Sequence, residues 1–170
     1  ALLSSCVRMA MPLLLAGLGE TFAERSGILN IGIEGTMLMG AMAGFVGSRL
    51  TGSPWLGLLC GILAGVLMAL LHAFLTVTVV ADQVVSGLSV NILGLGLSTL
   101  AFRAFFGLSG QTVKAPGFDP LLIPGLSQLP VIGPILFRQQ VLVYIGLLLV
   151  PIAYFVLFRT TFGQQVTAVG

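Results

Sequence analysis

The residues with the most chemistry to offer lie in a polar, glycine-rich stretch, Glu24-Arg25-Ser26-Gly27-Ile28-Leu29-Asn30-Ile31-Gly32-Ile33-Glu34-Gly35, with apolar sequence on both sides. From Glu34 to the next charge, Arg49, the run is too short to cross a bilayer, which takes about 20 helical residues. A span therefore has to start near Gly27, which puts Asn30 and Glu34 below the headgroups, one helical turn apart on one face. An ionisable group in lipid is costly, so it marks a pathway or a buried polar joint. A second helix start has the same character: Asp82-Gln83 breaks the apolar run, and Ser86, Gly87, Ser89, Asn91, Gly94 and Gly96 follow. Discontinuous helices expose backbone donors and acceptors, and matched pairs of them often bracket a transport site. Asn30, Ser86, Ser89 and Asn91 are thus candidate pathway residues, although two polar packing joints account for them equally well. Glu34, Asp82 and Gln83 are read as structural polar groups, the last two capping the N-terminus of their helix.

Other chemistry finds little support. A phosphate-binding Walker loop needs Lys followed by Ser or Thr, and the one lysine, Lys114, precedes Ala115. A zinc-protease helix needs a pair of histidines a turn apart, and His72 stands alone. His72 is read as a hydrogen-bonded packing residue ahead of a proton relay. Gly107-Leu108-Ser109-Gly110 has the GxSG form of rhomboid-type intramembrane serine proteases, but in that family the histidine follows the serine, and here it precedes it. No metal site is expected. The net charge of +2 carries no clustered basic face for nucleic acid. Cys6 and Cys60 lie in apolar runs and are expected as buried small hydrophobes, without a disulfide.

The elements that must hold these groups are membrane helices. Hydrophobic residues make up 57% of the chain and charged ones 7%, against about 25% charged in soluble domains, and the mean hydropathy is +1.13. The apolar runs recur throughout, so a single anchor on a soluble domain is excluded. Five spans are predicted: Leu2–Leu18, Gly27–Ser48, Trp55–Val79, Val84–Phe106 and Val141–Phe158. Gly40 and Gly44 in the second, and Gly57, Gly61 and Gly65 in the third, recur every four residues as a helix-packing seam. Between Gly107 and Gln140, Pro116, Pro120, Pro124, Pro130 and Pro134 rule out a continuous span. The apolar pieces Leu121–Ile123 and Val131–Phe137 are expected to lie on or dip into the membrane surface. The fold class is therefore all-α, a polytopic membrane bundle of about five spans with glycine-interrupted helices and a long proline-rich connection.

The stretches ERSGILNIGIEGTMLMGAMAG, ADQVVSGLSVNILGLGL, LPVIGPILFRQQVLVYIGLLL and FRTTFGQQVTAVG, in that order, resemble permease subunits of bacterial ABC importers. The family is that of branched-chain amino-acid and simple-sugar permeases, and the nucleoside-type subgroup is most similar. The resemblance implies import of a neutral polar solute, a nucleoside or simple sugar, by alternating access across the inner membrane. It also implies a second permease subunit, two cytoplasmic ATPase subunits that bind the ATP and Mg, an extracytoplasmic binding protein, and no cofactor in this chain. Neutral groups such as Asn30, Ser86, Ser89 and Asn91 suit such a solute. Carried over, Arg159, Gly163, Gln164 and Gly170 begin the cytoplasmic coupling segment, and Gly107–Gln140 lies outside. Relatives carry basic residues before AVG, where Gln164, Gln165 and Thr167 stand here. Relatives also continue beyond AVG, so residues 1–170 read as the N-terminal part of one permease domain, ending before or within the coupling segment. A non-transporting membrane scaffold and a secondary-transporter fragment are the alternatives; the latter needs a deep charged ion site, for which only Glu34 qualifies.

Overall fold

The computed structural model describes residues 2–107, 114–122 and 138–170. They form α1 (Leu2–Arg25), α2 (Ile33–Thr51), α3 (Pro54–Ala73) with a π-helical turn (Phe74–Thr78), and α4 (Gln83–Phe106). Strands β1 (Pro120–Leu122) and β2 (Arg138–Gln140), then α5 (Val141–Arg159) and α6 (Thr161–Val169), complete the order. The chain divides into two compact units, Ile28–Gly117 and Ala1–Gly27 with Phe118–Gly170.

In the first unit α2 packs between α3 and α4, and glycines set both contacts. A Cβ on Gly61 would lie 2.9 Å from the Gly40 carbonyl, and one on Gly57 would lie 2.7 Å from that of Gly44. One on Gly47 would lie 2.8 Å from Cys60 Cβ, so α2 and α3 pass antiparallel with their backbones almost touching. The seam ends at Gly61: a Cβ on Gly65 would meet nothing, contrary to the packing role expected for it. On its other side α2 runs parallel to α4, from Gly32 beside Gly87 to Phe45 edge-on to Phe106 at 5.5 Å. Ser48 Oγ donates to the Pro116 carbonyl at 2.6 Å and ties the end of α2 to the connection after α4.

Among the described residues four helices are long and apolar enough to cross a membrane: α1, α3 with its π turn, α4 and α5. α2 falls short on composition, yet its 19 residues cover about 28 Å and lie alongside α4. It lies where the second span is expected from the sequence.

The second unit holds α1 and α5. α1 runs past the expected end at Leu18 to Arg25, because nothing between them breaks a helix and Thr21 Oγ1 bonds back to the Gly17 carbonyl at 2.8 Å. Gly27, at φ 78°, then turns the chain. Cys6 is exposed on α1, not buried as expected, since this face of α1 has no protein neighbour among the described residues; both thiols are free. β1 and β2 pair antiparallel, Leu121 opposite Gln139, a small ladder within an otherwise helical chain. Pro120 opens its strand, where a missing N–H is tolerated. Residues 123–137, including the apolar piece Val131–Phe137, and Ser109 of the GxSG motif lie outside the described residues. At the end of α5, Thr160 caps α6 by accepting from Gly163 N–H at 3.4 Å. Gly163 is buried there, and a Cβ on it would collide with the Leu157 carbonyl.

Gly94→Ala in the full-length protein would push a methyl to 2.5 Å from the Gly35 carbonyl, backbone against backbone. We expect a loss of about 1–3 kcal/mol, read as a lower thermal midpoint in detergent. Gly65→Ala should be neutral or stabilising by up to about 1 kcal/mol, since the site is open.

Candidate functional site

α2 begins without a cap of its own. Gly32 precedes it and offers no side chain, so the first N–H groups of the helix need acceptors from elsewhere. In lipid no water supplies them. α4 does. Asn91 Oδ1 accepts from Gly35 N–H at 2.7 Å, and Asn91 Nδ2 donates to the Ile31 carbonyl at 2.9 Å. These partners fix the amide orientation, because its acceptor faces an N–H and its donor faces a C=O. Gln83 Oε1 accepts from Leu29 N–H at 2.8 Å.

Gln83, Gly87, Asn91 and Gly94 recur at spacings of four, four and three, on one face of α4. Two of them supply hydrogen bonds and two supply closeness. A Cβ on Gly87 would lie 2.9 Å from Gly32 N, and one on Gly35 would lie 2.5 Å from the Val90 carbonyl. Val90 is 1% exposed beneath this contact. The face forms a socket for the non-helical segment Ile28–Gly32 and the first turn of α2.

This geometry corrects one expectation. Asn30 and Glu34 do not share a helical face, because α2 starts at Ile33 and Asn30 lies in the segment before it. The backbone there is held by Gln83 and Asn91 in place of helical bonds. Asn30 is half-buried, while Glu34 is exposed in the first turn of α2, where an acid suits the helix dipole. Asp82 caps α4, its Oδ1 accepting from Val84 and Val85 N–H at 2.9 and 3.0 Å.

The pathway candidates separate. Ser86 is buried and its Oγ lies 3.2 Å from His72 Nδ1, joining the end of α3 to the start of α4. Ser89 is exposed and its hydroxyl donates back to the Val85 carbonyl at 2.8 Å. Only Asn91 enters the joint, with both ends of its amide engaged by backbone. The Ser86–His72 pair and the reach of Gln83 to Leu29 were not anticipated; the four-four-three spacing on α4 was the available signal for the joint. Among the described residues no cluster of three His, Cys, Asp or Glu could hold a metal.

Residues 2–170 match the family described as branched-chain amino acid transport system / permease component. The chain belongs to this permease family. A candidate glucose ABC transporter permease protein of Haloferax volcanii, TsgC13, is 42% identical over 99% of the chain and 51% of its own length. The guanosine ABC transporter permease protein NupQ of Bacillus subtilis is 40% identical over 95% of the chain and 53% of its own length. The nucleoside ABC transporter permease protein NupC of Lactococcus lactis subsp. cremoris is 34% identical over 94% of the chain and 52% of its own length. The permease chain thus spans about half the length of the curated relatives it matches. No solved structure matches it significantly.

Asn91→Leu in the full-length permease should strand Gly35 N–H and the Ile31 carbonyl, costing about 1–3 kcal/mol for each buried group left unpaired. Asn91→Asp keeps the acceptor for Gly35 N–H and should lose less. Hydrogen exchange at Leu29–Gly35 reads the difference; equal protection in both variants would show that the amide does not hold this segment.

Proposed function

We propose that this chain is the N-terminal part of a transmembrane permease subunit of an ATP-driven importer for a neutral polar solute, a nucleoside or a simple sugar. The observation that carries the reading is the family match across residues 2–170, together with relatives named for guanosine, nucleoside and glucose transport. On this reading the two compact units belong to a single permease domain that continues beyond residue 170. The subunit sits in the cytoplasmic (inner) membrane and pairs with a second permease subunit. It receives solute from an extracytoplasmic binding protein and is driven by ATPase subunits that bind ATP and Mg; it carries no cofactor and performs no hydrolysis itself.

Within that reading the polar residues divide by role. Asn91 and Gln83 hold the start of α2, since their side chains engage backbone groups. Asn30, Ser86 and Ser89 remain the candidates for the solute path. α6, from Thr161 to Val169, with Arg159 before it, Gly163 and Gln164 along it and Gly170 after it, begins the segment that meets the ATPase on the cytoplasmic side. The Asn91 bonds would also suit a membrane scaffold that moves no solute, so uptake has to separate the two.

Cells carrying the full-length gene, its ATPase partner and its binding protein should accumulate labelled guanosine or glucose, and a hydrolysis-dead ATPase should abolish this. Uptake that survives loss of ATP hydrolysis would end the ABC reading. Absence of uptake for every nucleoside and sugar offered would favour the scaffold. Asn30→Leu should raise the KM for solute with membrane expression unchanged.

A further inference from the structure

α1 and α5 run in the same direction. Gln139, just before α5, donates from Nε2 to Ser4 Oγ at 3.0 Å, and Arg25 at the end of α1 stacks over Phe158 at the end of α5. Along their C-terminal halves the two helices leave an apolar groove of about 250 Å³, whose lining includes Leu15, Gly19, Phe22, Ile152, Ala153 and Val156. A Cβ on Gly19 would meet nothing within 4 Å, so the groove is open at its middle.

Each lining stripe ends in an arginine. Phe22 is followed three residues on by Arg25, and Val156 three residues on by Arg159, the basic residue of the last turn in both helices. At this spacing each guanidinium stands one turn beyond the apolar lining, on the same side of its helix. Glu20 and Glu24 fall roughly opposite the stripe on α1, at about 100° per residue. The Arg25 guanidinium carbon lies 4.2 Å from the Phe158 ring centroid, a cation over a ring face. Arg25 is half-buried and Arg159 is exposed, each with a guanidinium that carries several N–H donors.

We propose that this groove binds one anionic phospholipid, an acyl chain lying past Gly19 and Ala153 and the phosphate held by Arg25 and Arg159. Apolar lining beneath paired cations is the layout of a lipid, tail below headgroup, and guanidinium forks match phosphate oxygens.

The test uses the full-length protein in nanodiscs of equimolar phosphatidylglycerol and phosphatidylcholine, with retained lipid read by native mass spectrometry. About tenfold enrichment of phosphatidylglycerol is expected. R159Q, at an exposed residue, should cut the enrichment at least threefold, and R25Q/R159Q should abolish it. G19L should displace both lipids by filling the groove, while E24Q should change nothing. A photo-crosslinker placed at Ile152 should capture lipid. Equal retention of the two lipids, retention unchanged in G19L, or capture of a peptide from a second copy or partner subunit would each overturn the proposal.

Discussion

The first unit depends on one constraint: a helix with no cap of its own must find acceptors for its leading N–H groups elsewhere in the protein. α2 has no capping side chain of its own. Its need is met from α4, where one amide bridges the start of the helix, accepting from Gly35 N–H and donating to the Ile31 carbonyl. Most N-caps are local and satisfy the helix that carries them. This one is supplied 56 positions away in sequence, so the start of α2 cannot form correctly until α4 is beside it. The cap and the tertiary contact are the same event.

That arrangement explains the glycines around it. An asparagine side chain is short, and it reaches a neighbouring backbone only if the two helices nearly touch. Gly32, Gly35, Gly87 and Gly94 permit the approach, each lacking the one atom that would collide. On the opposite side of α2, Gly40, Gly44 and Gly47 do the same against Gly57, Gly61 and Cys60. Apolar burial gives little drive for helix association within lipid, where tails are as greasy as leucine. Close backbone packing and a few well-made polar bonds have to do the holding, and α2 obtains both.

The sequence disclosed the local parts of this design and hid the distant ones. Asp82 was legible as a cap because capping is decided within three residues. The helix count and the glycine seam were legible because lipid thickness and small-residue spacing are periodic signals. The start of α2 was placed too early, at Gly27, because the length argument assumed that a span must be uniformly helical. In fact the helix runs on to Thr51, and the residues before Ile33 are non-helical and lie against α4. Asn91 was picked out as a polar residue in lipid, but its partners lie on another helix, and no local rule could name them. The pairing of His72 with Ser86 across the α3–α4 turn was missed for the same reason.

Packing bears on what composition leaves open about α2. α3 and α4, joined by the short turn through Val80 and Asp82 and clasped by the His72–Ser86 pair, run in opposite senses. α2 lies antiparallel to the one and parallel to the other, and among the described residues of its unit it is the remaining long helix. Its modest hydropathy then follows from its position, since a helix flanked by α3 on one side and α4 on the other presents little surface to lipid. Such a helix is free to keep a buried Ser48 and a run of glycines, because close packing against two neighbours takes the place of apolar surface.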